Sequence, residues 1–131
     1  MEEIGRLRRF ELGYAGTPLR RQLVAAVLTG DKTATASLLS DYEPATAEPL
    51  PLVGAQEVMV GDADEPVAIV ETTDVQIVAA GDVDLAFARD EGEGFETVAD
   101  WRAAHERFWA DQLITDETPI VCQRFRVVRR L

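Results

Sequence analysis

The sequence has almost none of the residue types on which metal-binding and disulfide-stabilised domains depend. It contains one cysteine, Cys122, and one histidine, His105, among its 131 residues. A single cysteine excludes an internal disulfide, and no second histidine or cysteine stands at the spacing of a zinc site. We therefore predict no metal and no cofactor. Cys122 lies in an alternating apolar segment, which predicts a small buried side chain.

Long apolar runs are absent as well. No segment approaches the roughly 18 apolar residues that cross a bilayer, and no signal-peptide pattern opens the chain. With 47% hydrophobic and 28% charged residues, the composition is typical of a globular domain with its own core. We expect one domain over residues 1–131 in a cytoplasmic protein that makes no contact with a membrane.

Lysine is equally scarce, because arginine supplies every other basic residue. The one lysine, Lys32, stands in the stretch GDKTATAS. Lysine is a compact charge whose pKa shifts readily on burial, so it can act as a base or a nucleophile, whereas arginine cannot. The hydroxyls of Thr33, Thr35 and Ser37 follow it, and a hydroxyl beside a lysine is a recognised nucleophile–base pairing. The alternative is a solvated charge that follows a helix.

The charge is distributed unevenly along the chain. The net charge is −11, with −15 in residues 31–100 and +2 in each of the two flanking segments, 1–30 and 101–131. Proteins that bind nucleic acid normally present a basic surface, which would here require the arginines of the two ends to meet. The acidic net charge favours a small-molecule ligand and leaves single-stranded RNA as the alternative.

Hydrophobic periodicity predicts an α+β domain. Apolar residues recur at helical spacing over residues 18–29 and 98–112. Thr17 and Thr97 are the candidate N-caps of these two helices, and Gly30 is the candidate stop of the first. In the second helix, His105 shares an apolar stripe with Trp101, which favours a hydrogen-bonded core residue over a catalyst.

Alternating segments predict strands over residues 56–61, 67–72 and 120–128. The first two form a hairpin that turns at GDADEP, with a further bend near Thr73–Asp74. A short helix in VDLAFARD leads into the acidic stretch DEGEG, residues 90–94, for which a solvated turn is the default interpretation. The proline-rich DYEPATAEPLPLVG predicts an irregular loop.

Several of these pieces, in order, resemble the ASCH (activating signal cointegrator homology) family. They are GDKTATASLLSDYE, EPLPLVG, PVAIVETTDV, AFARDEGEG, WRAAHERFW and QRFRVV, and they extend from roughly Thr17 to Val128. The resemblance implies a fold related to the PUA RNA-binding domain, a small closed β-barrel with flanking helices. The EPLP loop and the tryptophan-bearing helix resemble the larger bacterial branch of the family rather than its short amidohydrolase branch.

The resemblance also implies catalytic residues. The short branch removes the acetyl group from N4-acetylcytidine with a lysine, a threonine three positions later and a glutamate from the later acidic loop. These positions fall here on Lys32, Thr35 and Glu93. We therefore expect an amidohydrolase that acts on a small nucleoside-like ligand, with these three side chains in one cleft.

A second function stays open, because another family member is reported as a metal-dependent ribonuclease. In an RNA-binding module, Lys32 would contact phosphate, while Tyr42 or Trp101 would stack on a base. Thr33 is a further candidate binding residue. For Trp101, core packing is the competing interpretation, since it lies on the apolar stripe of its helix.

Two arrangements of the protons are compatible with the catalytic set. A threonine hydroxyl is a poor nucleophile until a neighbour takes its proton. If burial removes the proton of Lys32, then Lys32 is the base and Thr35 the nucleophile, which is the arrangement we favour. If Lys32 stays cationic, it stabilises an oxyanion and Glu93 handles the protons.

Overall fold

The computed structural model describes residues 5–131, and five strands and three helices lie wholly within this part of the chain. The strands are β1 (Arg8–Phe10), β2 (Ala34–Leu38), β3 (Gln56–Val60), β4 (Pro66–Ala79) and β5 (Pro119–Arg130). The helices are α1 (Pro18–Thr29), α2 (Leu85–Asp90) and α3 (Val98–Phe108), with short 3-10 turns at Leu39–Asp41 and Ala80–Asp82. The α+β class is therefore confirmed. Over the same residues, no helix has both the length and the apolar composition needed to cross a bilayer.

The five strands form one curled sheet in the order β1-β3-β4-β5-β2. The β1–β3 pair is parallel, and the other three pairs are antiparallel. Among the described residues, the edge strands β1 and β2 do not pair with each other. The sheet is thus a half-barrel, and the closed barrel that the resemblance implied is not confirmed.

The first predicted helix and both predicted N-caps are confirmed. The hydroxyl of Thr17 accepts a hydrogen bond from the amide of Arg20, and Gly30 ends α1 with a left-handed φ of 86°. Thr97 caps α3 in the same way, through the amide of Asp100. The second helix is shorter than predicted, since it ends at Phe108 rather than at residue 112.

The predicted bend near Thr73–Asp74 is a bulge inside one continuous strand rather than a break between two strands. Strand β4 continues through this point, and only its register with β5 shifts between Thr72 and Asp74. A bulge of this kind inserts an extra residue and increases the local twist without ending the strand. Strand β2 was not predicted, because Ala34–Leu38 is short and rich in alanine, which is depleted in strands.

Two apolar clusters hold the helices against the sheet. One lies between α2, α3 and the β2–β5 pair, and it includes Phe87, Trp101, Trp109, Ile120 and Cys122. The other surrounds α1 and includes Phe10, Leu23, Val27, Met59 and Phe125. The predicted burial of Cys122 is confirmed, and burial raises the pKa of its thiol to about 12, so the thiol stays protonated.

A buried arginine ties α1 to two loops. The guanidinium of Arg20, only 1% exposed, donates to the backbone carbonyls of Leu12, Gly13 and Gly61 and forms an ion pair with Asp64 at 2.9 Å. The planar guanidinium carries five N–H groups, which suits it to bind several fixed oxygens at once. Arg20 thereby fixes the loop that follows β1.

Replacement of Arg20 by methionine should destabilise the fold by about 3–5 kcal/mol, because several buried carbonyls would lose their donors. The matched control is Arg21→Met, since Arg21 lies next to it on α1 and forms an exposed ion pair with Asp62. The control should cost no more than about 1 kcal/mol. Urea unfolding followed by circular dichroism measures both changes. Equal losses in the two variants would contradict the bridging role of Arg20.

Candidate functional site

A cavity of about 780 Å³ opens between α1, the start of β2, the acidic loop after α2, and α3. This volume lies in the range of pockets that bind small molecules. Its walls include all three of the predicted catalytic residues, Lys32, Thr35 and Glu93. The prediction that they line a single cleft is confirmed, whereas their catalytic roles remain a prediction.

The backbone on both sides of Lys32 is held in place. After Gly30 ends α1, the amide of Lys32 donates to the carbonyl of Ala26 at 3.0 Å. The next amide, that of Thr33, donates to the carbonyl of Asp90 at 2.8 Å. Lys32 is consequently only 2% exposed, so its interpretation as a solvated charge was wrong.

A glycine makes this contact between two distant segments possible. Gly92 has a left-handed φ of 70°, and a Cβ placed on it would lie 2.4 Å from the carbonyl oxygen of Asp31 and 2.7 Å from the Cα of Lys32. Both neighbours are backbone atoms, which cannot rotate away as a side chain can. Only glycine therefore allows the acidic loop to pack directly against the segment that carries Lys32.

The ammonium group of Lys32 points toward the acidic loop. Its Nζ donates to the backbone carbonyl of Glu91 at 3.1 Å and lies 3.6 Å from Oε2 of Glu93. The Glu93 side chain is 27% exposed. Partial burial raises the pKa of Glu93; the Lys32 ammonium opposes this rise, and the Glu91 carboxylate adds to it. Glu93 is thus a carboxyl group suited to gain and lose a proton closer to neutral pH than an ordinary glutamate.

Behind Glu93, the side chain of Glu91 is buried in a network with α3. Glu91 is 1% exposed, so the default interpretation of this stretch as a solvated turn was wrong at this position. Its Oε2 accepts a hydrogen bond from the indole Nε1 of Trp101 and lies 3.3 Å from Nε2 of His105. Two donors from one face of α3, at positions i and i+4, therefore fix the Glu91 carboxylate.

The hydrogen bonds of His105 define its protonation. Its Nδ1 lies 2.8 Å from the carbonyl oxygen of Trp101, which can only accept, so Nδ1 carries a hydrogen. Nε2 faces the Glu91 carboxylate, which favours a second hydrogen there and hence the imidazolium form. Burial lowers the pKa of His105, but the hydrogen bond and charge of Glu91 and the Trp101 carbonyl outweigh it, so the pKa is raised overall. The predicted core role of His105 is confirmed, although its ring also borders the cavity.

Glu91, Glu93 and His105 form the one three-residue group in residues 5–131 with the geometry to hold a metal ion. One ligand atom from each lies within 4.8 Å of the others. The surroundings already provide positive charge, because Lys32 lies beside Glu93 and the imidazole of His105 is directed at Glu91. A divalent ion would have to displace the ammonium and deprotonate the imidazole. The donor set therefore fits an internally compensated cluster better than a metal site.

The remaining predicted site residues have different positions. Tyr42 lines the cavity, and its hydroxyl lies 2.7 Å from Oγ of Ser37. Burial raises the pKa of the Tyr42 phenol, so the hydroxyl stays protonated. Thr33 is exposed and its hydroxyl faces the Asp90 carbonyl, outside the cavity wall. Trp101 is fully buried and offers no ring face to a ligand, so its expected stacking on a base is not supported.

Thr35 is part of a polar row on the cavity face of the sheet. In the antiparallel β2–β5 pair, Thr35 lies directly opposite Gln123, and both side chains line the cavity. Gln123 is only 5% exposed, and its Nε2 donates to the hydroxyl of Thr72 at 2.8 Å. Glu57 of β3 also lines this wall. Gln123 and Glu57 were not predicted as site residues, since a polar residue in a strand gives no sign of which cavity it faces.

The half-barrel sheet with its lysine–glutamate cavity defines a small α+β domain of a known class. The chain superposes on the crystal structure of protein EF3133 from Enterococcus faecalis V583 with a TM-score of 0.82 at 29% identity, covering 94% of this chain and 77% of that one. For the ASCH domain from Lactobacillus crispatus JV V101, the TM-score is 0.81 at 25% identity, with 98% and 83% covered. The model of the ASCH domain family matches residues 13–129, whereas no curated protein matches. The chain belongs to the ASCH domain family.

Alanine substitution at Gly92 should separate the two loop segments that form the site. The matched control is Gly94→Ala, because Gly94 also has a left-handed φ, 83°, but has no atom within 4 Å of the position that a Cβ would occupy. The control should cost about 1 kcal/mol from the backbone conformation alone. Gly92→Ala should lower the free energy of unfolding by about 3 kcal/mol or more, since it adds a backbone clash to the same backbone strain. Equal shifts in urea midpoint would show that the two segments are not in tight contact.

Proposed function

We propose that this protein hydrolyses the amide bond of a small N-acylated nucleobase or nucleoside, similar to N4-acetylcytidine. The observation that carries the proposal is the position of Lys32, which is buried, hydrogen-bonded and 3.6 Å from Glu93 in the cavity that Thr35 also lines. A solvated lysine would not have this set of neighbours. The cavity volume suits a ligand of nucleoside size.

In this proposal, Lys32 remains an ammonium ion and stabilises the oxyanion. Its Nζ donates to the backbone carbonyl of Glu91 at 3.1 Å and lies 3.6 Å from the carboxylate of Glu93, so two acceptors surround it. This environment supports the second of the two arrangements left open by the sequence. A fixed cation beside the substrate oxygen stabilises the negative charge that develops on this oxygen.

Glu93 is the proton carrier and Thr35 the nucleophile. The Glu93 carboxylate takes the hydroxyl proton of Thr35, and the Thr35 oxygen attacks the acyl carbon. As the C–N bond breaks, Glu93 returns that proton to the leaving amine nitrogen. Water then hydrolyses the acyl ester on Thr35 while Glu93 takes a proton from the water and returns one to the threonine oxygen. The products are the free amine and a carboxylic acid.

The alternative, a metal-dependent ribonuclease, draws support from the Glu91, Glu93 and His105 group. The charges of the molecule support it less. Of the arginines at the two ends, Arg8 pairs with Glu48 and Arg126 pairs with Glu71, so part of their charge is compensated within the chain. RNA binding through phosphates would weaken steeply with added salt, and cleavage would stop on treatment with a chelator.

The pH dependence of kcat/KM for N4-acetylcytidine tests the role of Glu93. The rate should fall as the pH decreases through the raised pKa of Glu93, because a protonated carboxyl cannot accept the Thr35 proton. The half-maximal point should therefore lie above the ordinary glutamate value of 4.5. Glu93→Gln should remove this fall in rate at acid pH, which is the acid limb of the pH profile, and should lower kcat/KM by about 10²–10⁴-fold. The control Glu96→Gln, on an exposed residue of the same loop, should change neither the acid limb nor kcat/KM. An unchanged acid limb in the Glu93→Gln protein would refute the assignment of Glu93 as the proton carrier.

The nucleophile is tested by separating turnover from binding. Thr35→Ala should abolish product formation by liquid chromatography while N4-acetylcytidine still binds by calorimetry, since only the attacking oxygen is lost. Thr35→Ser should keep part of the rate, because the hydroxyl survives. Thr73→Ala, on an exposed residue of β4, is the matched control and should behave as the wild type. A fully active Thr35→Ala protein would rule out the covalent route.

A further inference from the structure

We propose that the part of the cavity around Glu57 binds the positively charged ammonium group of a small organic amine. The carboxylate of Glu57 and the carboxamide oxygen of Gln123 form this amine subsite, and both side chains line the cavity. The subsite shares the cavity with Lys32, but it takes a group of the opposite charge to the oxyanion that Lys32 would stabilise. Binding of an amine here does not require the hydrolysis proposed above.

The carboxamide of Gln123 presents an oxygen without a donor to the cavity. The side chain is 5% exposed, and its Nε2 donates to the hydroxyl of Thr72 at 2.8 Å. The second N–H is directed at the Glu57 carboxylate, which can only accept, so this contact fixes which arm of the amide is the nitrogen. Oε1 accepts no hydrogen bond from residues 5–131, although it keeps surface in the cavity. Because a nearly buried acceptor without a donor is costly, a ligand that donates would be stabilised here.

Glu57 is a half-buried carboxylate that lacks a close cation. Four other glutamates of the cavity wall each have a basic group within 3.6 Å, namely Glu11, Glu48, Glu91 and Glu93. Within residues 5–131, no basic side chain lies that close to Glu57. Burial raises the pKa of Glu57 and outweighs the hydrogen bond from Gln123 and the charge of Arg8, which lower it. A cation supplied by a ligand would offset the cost of keeping this carboxylate charged.

The charges around Glu57 sum to a negative value. The parallel register of β1 and β3 places Arg8 beside Glu57, but the Arg8 guanidinium pairs with Glu48 at 2.7 Å. Burial raises the pKa of the Tyr42 phenol, and three nearby carboxylates add to this rise, those of Asp41, Glu57 and Glu48. Three carboxylates and one guanidinium thus meet at this part of the wall, and their net charge favours a cationic ligand over a neutral or anionic one.

The surroundings of Glu57 suit an organic ammonium better than a metal ion. In residues 5–131, the one group of three side chains with ligand atoms within 4.8 Å of one another is Glu91, Glu93 and His105. The carboxylates around Glu57 are therefore too far apart to coordinate a single ion together. Several residues of the wall that precede Glu57 in the chain are apolar, among them Leu50, Pro51 and Ala55. The carbon skeleton of an amine can pack against them while its N–H groups donate to Glu57 and Gln123.

Two ligands of the same shape but different charge test the amine subsite. Benzylamine is a cation at neutral pH, and benzyl alcohol carries a hydroxyl in place of the ammonium group. In an NMR titration of the protein, the wild type should bind benzylamine about 10-fold or more tightly than benzyl alcohol, because charge-assisted hydrogen bonds are the stronger ones. The isosteric Glu57→Gln should weaken benzylamine binding about 10-fold and change benzyl alcohol binding less than about twofold. The control Glu117→Gln, which removes one exposed carboxylate outside the cavity wall, should change neither affinity.

A second variant, Arg8→Met, tests the sign of the charge without altering the two groups that hold the amine. The Arg8 side chain is exposed, so its loss should not unfold the protein, and Glu48 would then be free to attract the ligand. Benzylamine should bind about threefold or more tightly to this variant.

Three results would overturn the subsite: equal affinity of the wild type for the two ligands, unchanged benzylamine affinity in Glu57→Gln, or benzylamine binding that is not tightened in Arg8→Met. The Arg8→Met comparison still decides the matter if Glu57→Gln fails to fold. All of these measurements are of binding alone. A protein that binds benzylamine as expected but cleaves no amide would therefore support the subsite and refute only the proposed function.

Discussion

The site depends on the contact between the segment around Lys32 and the acidic loop around Gly92. A backbone hydrogen bond from Thr33 to Asp90 and the bond from the Lys32 ammonium to the Glu91 carbonyl join two parts of the chain that are 57 to 59 residues apart. Without a side chain at Gly92, backbone atoms of the two loops come closer than any other residue would allow. The buried lysine is a consequence of this packing, because the loop that covers it also supplies its hydrogen-bond acceptors.

Charge compensation explains why the cluster is tolerated in the interior. Unpaired buried charges are expensive, so buried ions occur with partners of opposite sign and with hydrogen bonds. Here Lys32 faces Glu93, and His105 faces Glu91, so two positive groups lie next to two negative ones. The Trp101 indole adds a further donor to the Glu91 carboxylate. The Glu91–His105 pair is the enclosed half of this cluster, and the Lys32–Glu93 pair is the half whose carboxylate a ligand can reach.

Local signals predicted the elements that local physics controls. The Thr17 cap, the Gly30 stop and the Thr97 cap are recognisable because each needs a particular residue type at a particular position. Pairing between distant segments determines the open half-barrel, the continuous β4 and the strand at 34–38. Hydrophobic periodicity does not reveal which distant segments pair. For the site, the motif around Lys32 and Glu93 came from the resemblance to a family. Glu91 was missed because its charge suggested solvent, although the adjacent Gly92 in an EGEG stretch was a sign of close backbone approach.

The geometry also explains why the single lysine of the chain stands at position 32. The space between β2 and the acidic loop offers one carbonyl and one carboxylate to a small cation, at 3.1 and 3.6 Å from a single nitrogen. A guanidinium is planar and larger and has five N–H groups, so in this buried place most of them would lack acceptors. At the other buried basic position, several oxygens converge and the residue is an arginine, Arg20. At these two buried positions, the choice of basic residue therefore follows from the number of acceptors that the surroundings present.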